Sequence, residues 1–299
     1  MSLSLNYSAS LERAILETLA YSDVFDYPLT LNELHRYLTY PTTLEEVRNC
    51  LDTLSSIHSV SNFYFLPARD SIVGIRSERT KESLPAFRRA LIYGRILGIF
   101  PFVRMVAMTG SLAVLNLSKD ADMDYMLITR TGRLWLARAI AVTFGRIMRL
   151  FGDRICVNLL VTESALKWQT QDLYSAREMC QMIPISGEDV YQRLRAENPW
   201  IETYLPNAKS TPATTPKTQP RIAWLQKLFE FLLGGKLGDA LEKWTMDFQI
   251  KKIYNAYGTG REAYFSADLC QGNFHDHRFI TDRSFHERLA FLNEGERSA

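Results

Sequence analysis

Cysteine is the first scarcity in this chain. The four cysteines, Cys50, Cys156, Cys180 and Cys270, lie far apart with no Cys-x-x-Cys pair, which excludes a zinc-ribbon spacing and a disulfide framework. Cys50 and Cys156 sit among apolar residues and read as small core side chains. Histidine is nearly as rare, five in 299 residues, and no Ser/His/Asp or Cys/His arrangement for nucleophilic catalysis can be assembled. His275 and His277 stand two apart but have no partner cluster at ligand spacing. They read as surface histidines or contacts folded back toward a substrate rather than as a metal centre. Long apolar runs are missing too. No stretch of eighteen uncharged apolar residues occurs, so no membrane span is expected. The first residues, Met1 to Asn6, lack the charged and apolar parts of a secretion signal, and the reading is cytoplasmic. Neither sign of charge dominates, with 35 Lys and Arg against 33 Asp and Glu, so the distribution of charge carries more than its sum.

What the chain has is length and apolar content enough for two or three domains. Its first unit is expected over 8–76. Ser10 precedes a helix with Leu11, Ile15, Leu16 and Leu19 at helical spacing. Thr30 and Glu33 form a capping-box pattern for a second helix, and a third follows Pro41 with Leu44, Val47, Leu51 and Leu54 on one face. Val60–Leu66 and Ser71–Ile75 flank a Pro-Ala-Arg-Asp turn and are expected as a hairpin. Three helices and a hairpin predict a winged helix-turn-helix. Its third helix carries Glu45, Glu46 and Asp52 against Arg48. Phosphate attraction supplies much of DNA affinity, so an acidic reading helix favours a partner-docking module over DNA binding.

A second unit is expected over 84–205. A helix is predicted from Pro85 to Phe100, and then Val103–Met108 and Tyr125–Thr129 read as two strands. Between them stand Thr109-Gly110-Ser111, ten residues, and Asp122-Met123-Asp124. Side chains alternate on a strand, so Asp122 and Asp124 project side by side and can share a hard cation such as Mg²⁺. Gly110 lets backbone approach an anion, and Ser111 adds a hydroxyl and a helix-start N–H. Asp120 alternates onto the same face and competes as a ligand, but the apolar strand starts directly after Asp124 and favours the 122/124 pair. Leu134–Phe151 reads as an amphipathic helix crossing over to the strand Ile155–Val161, which a right-handed connection would lay beside the Asp strand.

Arginines crowd both sides of this motif: Arg76, Arg79, Arg88, Arg89, Arg95 and Arg104 before it, then Arg130, Arg133, Arg138, Arg146, Arg149 and Arg154 after it. The crowding biases the reading toward a polyphosphate or nucleic-acid substrate. Residues 206–220, rich in Pro, Thr and Lys, are expected as a linker. Residues 221–299 are expected as a helical region that packs on the core, lines a homodimer contact or holds an acceptor. An interfacial membrane helix fits its aromatic content less well, because Asp239 and Glu242 interrupt its basic face.

Gly-Ser, ten residues, Asp-x-Asp and a hydrophobic strand resemble the signature of the polymerase-beta-type nucleotidyltransferase superfamily, at the spacing of the minimal nucleotidyltransferases of toxin–antitoxin pairs. The text around Leu19–Thr30, Gly132–Arg138 and Ile155–Asn158 resembles a bacterial and archaeal group of nucleotidyltransferase-domain proteins. The specific motif covers about fifteen residues, and the looser likeness runs from roughly 10 to 205. The resemblance implies an α+β fold with a mixed-sheet core. It implies two Mg²⁺ ions on Asp122 and Asp124, and a nucleoside triphosphate, ATP foremost, held at Gly110 and Ser111. The acceptor would be an RNA end, a protein hydroxyl or a small molecule. Such enzymes usually place a third acid on the neighbouring strand, where this chain offers Asn158, with Glu163 at the strand end as the alternative. Ala121 stands where related sequences often carry Ser, which puts a loop hydrogen bond in doubt. The contrasting expectation is a non-catalytic nucleotide-sensing or scaffold protein.

Overall fold

The structure is a computed structural model that describes residues 10–54, 56–118, 122–209, 211, 215, 223–274 and 276–298. Asp120, Ala121, His275 and most of the expected linker lie outside the described residues.

Helix capping sets the first unit. Helix α1 (Leu11–Asp23) opens on Ser10, whose hydroxyl accepts from the Arg13 N–H. After β1 (Leu29–Thr30), the reciprocal Thr30/Glu33 box opens α2 (Leu31–Tyr37), and a Thr43/Glu46 box opens α3 (Leu44–Thr53). Strands β2 (His58–Val60) and β3 (Phe63–Phe65) complete an antiparallel sheet of order β1-β3-β2. The hairpin therefore sits earlier than expected. Its turn is Ser61-Asn62, both left-handed at φ 52° and 67°, the sense that matches the twist of the flanking strands. Ser71–Ile75, expected as the second strand, is the start of helix α4 (Ser71–Ile99). Ile72 and Arg76 are buried one turn apart. The Arg76 guanidinium lies between Tyr27 and Phe63, donates to the Pro28 carbonyl and meets Glu33 Oε1 at 2.7 Å. That docking draws 71–76 into the helix, and Pro85 falls inside it rather than opening it. One rod thus runs from the first unit to the second.

The second sheet is built from β4 (Val103–Met108), β5 (Met123–Thr129), β6 (Ile155–Thr162), β7 (Ile183–Ser186), β8 (Glu262–Phe265) and β9 (Leu269–Asn273). Its order is β7-β4-β5-β6-β9-β8, and among its neighbours only β5 and β6 run parallel. The short α5 (Gly110–Ala113) joins β4 to β5, and α6 (Leu134–Arg149) makes the expected crossover to β6. Strands β4 and β5 are buried almost throughout, which explains their unbroken apolar text. Met105, Ala107, Met126 and Ile128 face the first unit together with α7 (Leu173–Gln181) and α8 (Glu188–Ala196), all in one continuous core. Val106, Met108, Tyr125 and Leu127 face α4 and α6. The result is α+β with a mixed six-stranded sheet.

The C-terminal region departs from the helical expectation. After α9 (Ile201–Tyr204) come α10 (Ala223–Leu232) and α11 (Lys236–Tyr257), but residues 262–273 form a hairpin that extends the sheet beside Leu159–Val161. These strands are only four and five residues long, too short for alternation to stand out. Helix α12 (His277–Ser298) then returns to α1, where Arg288 pairs with Asp23 and Phe285 packs edge-on against Tyr21. Among the described residues no helix is long and apolar enough to cross a membrane.

Candidate metal and phosphate site

The site begins where β4 gives way to α5. The Thr109 N–H donates to the Asp124 carbonyl at 3.0 Å, tying the end of one strand to the start of the next. Gly110 then turns left-handed at φ +65°, and a Cβ built there would lie 2.6 Å from Asp124 Oδ2. Conformation and space both demand glycine at this point. The turn is braced from the first unit. Tyr27 donates its hydroxyl to the Val114 carbonyl at 3.0 Å, and Asn116 donates to the Phe25 carbonyl while its own N–H reaches the Ser111 carbonyl. The segment 21–28 is thus a buttress of the Gly-Ser turn.

Asp124 lies between this turn and β6. Asn158 Nδ2 donates to its Oδ1 at 3.2 Å, across a register shift opposite Tyr125/Met126. The structure therefore brings Gly110, Asp124 and Asn158 together. As positioned, Asn158 orients Asp124 through its amide nitrogen rather than presenting an oxygen of its own. Burial pushes the Asp124 carboxyl up to about 7, with Glu178 and then Asp122 adding repulsion and a Cys156 thiol hydrogen bond opposing them. The same burial, with the nearby carboxylates, pushes the Cys156 thiol up to about 12. Asp122 is more open and bonds Arg154 Nε at 2.5 Å, a half-exposed pair of small worth that a cation can displace.

Glu178 is the residue that the sequence reading passed over. It comes from α7, on the facing side of the site, and burial raises its carboxyl to about 7. No Arg or Lys among the described residues forms an ion pair with Glu178 or Asp124. Tyr174 lies one turn before Glu178 on the same helix, and burial and Glu178 raise its hydroxyl well above the usual range. Beyond it stands Glu262 of β8, buried and held by Arg278 at 3.2 Å and by Asn273. The signal available beforehand was a lone acid within a buried helix face, flanked by Ala176, Met179 and Cys180.

Glu163 is not in the site. Its strand runs parallel to β5, Asp124 is level with Cys156, and Glu163 lies seven residues further on. At ~3.3 Å per residue that is roughly 23 Å away. Its N–H instead donates to Thr129, and its carbonyl accepts from Arg193. The flanking arginines are largely structural. Arg104 pairs with Glu230, Arg133 with Asp239, Arg89 with Asp153 and Arg79 with Asp26, while Arg138 bonds Gln249. His277 opens α12, away from the Asp pair in sequence, and among the described residues no metal-holding cluster includes it.

Among the described residues no group of three or more His, Cys, Asp or Glu side chains is arranged to hold a metal ion. Asp122 and Asp124 nevertheless suit Mg²⁺ in kind. They are hard oxygen donors, Asp124 half-buried with no ion pair to a cation among the described residues, and Mg²⁺ commonly takes one or two carboxylates and completes its shell with waters and phosphate. No family model, curated protein or solved structure matches the chain.

Proposed function

We propose that the chain is a Mg²⁺-dependent nucleotidyltransferase of polymerase-beta type, moving a nucleoside monophosphate from an NTP, ATP foremost, to a hydroxyl acceptor. The observation that carries this reading is the contact between Gly110 and Asp124. A left-handed glycine turn of the kind that admits phosphate oxygens is packed directly against a half-buried carboxylate that has no ion pair with a cation among the described residues. Gly110 and Ser111 would hold the triphosphate through backbone N–H groups and the Ser111 hydroxyl, and Asp122 and Asp124 would hold two ions. When bound, Mg²⁺ supplies charge neutralisation for the triphosphate and lowers the pKa of the attacking hydroxyl. The acceptor oxygen then bonds to the α-phosphorus, the bond to the bridging oxygen breaks, and pyrophosphate leaves with that electron pair. Asn158 fixes the Asp124 carboxylate. Glu178, with a carboxyl near 7, takes the proton that the acceptor releases.

Incubation with labelled nucleoside triphosphates and cell extract tests the reaction, the labelled product identifying the acceptor. With that acceptor in hand, Glu178→Gln should slow transfer by ~10²–10⁴-fold, leave NTP affinity unchanged and flatten the acid limb of the rate profile. Glu163→Gln should leave the rate within about twofold. Equal effects of the two variants would remove Glu178 from the role.

The alternative is a nucleotide-binding protein without turnover, favoured by Asn158 at the third-acid position and by the missing three-acid cluster. It predicts an NTP-dependent thermal shift with no pyrophosphate release. For the first unit, the order helix, strand, helix, helix, hairpin supports a winged-helix reading. Exposed Glu45, Glu46 and Asp52 on α3, and the buttress on the Gly-Ser turn, support a docking and bracing role rather than DNA binding.

A further inference from the structure

Helix α10 turns polar side chains inward, and α11 turns a mixed polar and apolar stripe inward, while both leave large aromatic residues outside. On α10 the inward stripe is polar. Gln226 donates to the carbonyls of Gly98, Phe100 and Val103, and Glu230 accepts from the Phe102 N–H and from Arg104. On α11 the inward stripe runs Gly238, Glu242, Thr245, Gln249, Ile253. Glu242 accepts from the N–H groups of Trp135 and Leu136, and Gln249 bonds Arg138 and the Trp135 carbonyl. Leu241, Met246, Ile250 and Ile253 pack on the core, but a set of large apolar side chains is left outside: Trp224 is 67% exposed, Phe231 84%, Leu237 66%, Trp244 62% and Phe248 54%. They recur at helical spacing, and Trp244 stacks on Phe248 at 5.6 Å. An exposed apolar face of this kind marks an interaction surface.

Charge selects the occupant. Of the four acids in this segment, Glu230 is engaged by Arg104 and Glu242 by the start of α6, while Asp239 pairs with Arg133 from an exposed position. What remains exposed beside the aromatic residues is Lys227, Lys236, Lys243, Lys251 and Lys252 against Asp247 and the Arg133-paired Asp239. A second copy meeting this face across a two-fold axis would set lysines against lysines. Anionic headgroups would neutralise them, while the aromatic rings take the interfacial depth that Trp favours and the lysines extend to the phosphates. We propose that α10 and α11 form a peripheral docking face for a bilayer bearing anionic phospholipid. This reading stands apart from the chemistry at Asp124 and does not depend on it.

The full chain should co-sediment with vesicles of mixed phosphatidylcholine and phosphatidylglycerol at least tenfold more tightly than with phosphatidylcholine alone, and more weakly as salt rises. Trp244→Ser with Phe248→Ser should lower partitioning about tenfold or more with an unchanged melting curve, since both side chains already face outward. The separate set Lys243→Gln, Lys251→Gln and Lys252→Gln should weaken it by about fivefold per lysine. Failure to bind anionic vesicles would overturn the proposal, as would undiminished binding in both variant sets. So would a dimer that the Trp244/Phe248 variant converts to monomer without any vesicle binding in the parent chain.

Discussion

Two sets of half-buried acids lie on opposite faces of the same sheet and differ in what the chain sets against them. On one face Glu230 and Glu242 are met by the chain itself: an arginine and a backbone N–H for the first, two N–H groups of a helix start for the second. On the other face Asp124 and Glu178 are half-buried with no ion pair to a cation among the described residues, and desolvation raises each carboxyl to about 7. Burial works against both partnered acids: at Glu230, Arg104 and the Phe102 N–H outweigh it and hold that carboxyl below its ordinary range, whereas at Glu242 it outweighs the two N–H groups and leaves the carboxyl raised. A buried acid with its partners supplied is part of the scaffold. An acid without them is held in place by the rest of the fold, and the proposed function assigns it to a ligand.

Removing a ligand-reserved acid should damage function far more than stability. Asp124→Ala is expected to reduce metal-dependent pyrophosphate release by about 10³-fold or more, with the fold retained. Near-normal release from a folded Asp124→Ala protein would detach the Asp pair from the chemistry. Gly110→Val tests the same place from the phosphate side. The variant forces a branched side chain into a left-handed turn, with its Cβ on Asp124 Oδ2. Backbone strain of ~1–3 kcal/mol corresponds to about a ten- to hundredfold loss of triphosphate affinity. Unchanged affinity in a folded variant would show that the turn does not hold phosphate.

Removing a partnered acid should do the reverse. Glu242→Ala strands the N–H groups of Trp135 and Leu136 at the start of α6 and is expected to cost about 2–3 kcal/mol. The urea midpoint should fall with an unchanged slope, while nucleotide binding at the opposite face persists. A midpoint equal to that of the parent chain would mean that α11 does not secure α6, and the contrast between the two faces would lose one side.

Asp124 was easier to find in the sequence than Glu178 or the partnered acids. Asp122, Asp124 and Gly110 stand within fifteen residues of chain, where strand alternation and a tight turn act locally. Asn158 was reachable because a right-handed crossover fixes which strand lies next to β5. Glu178 was not, since its place depends on how α7 packs across the sheet. Nor was the docking of Glu230 and Glu242, whose partners lie more than 100 positions away in sequence. Local patterning also misplaced the hairpin. Ser61-Asn62 lacks glycine, the usual signal of a two-residue left-handed turn, whereas Pro67–Asp70 offered a more familiar one. The inward polar stripe on α10 inverted the usual rule, so apolar spacing there reported the surface rather than the core.

The smallest expected effect is on stability against pH, and it reads the two faces in a single experiment. A carboxyl raised to about 7 in the folded chain and near ~4 when unfolded leaves the folded state holding more protons between those values. Asp124 and Glu178 therefore contribute stability that is fully present below about pH 4 and is lost as pH rises through about 7. Glu230, whose carboxyl is held low, contributes in the opposite sense: its share is present above the ordinary carboxylate range and is lost as pH falls below it. In the presence of a chelator, Asp124→Asn should leave the melting temperature unchanged near pH 4 and raise it by a few degrees at pH 8, because the amide carries no charge to bury. Added Mg²⁺ and NTP should narrow that gap by stabilising the parent chain alone. An Asp124→Asn protein that melts below the parent at pH 8 without metal would mean that the fold anchors this carboxylate as firmly as it anchors Glu230. Asp124 would then belong with the scaffold acids and not with a ligand.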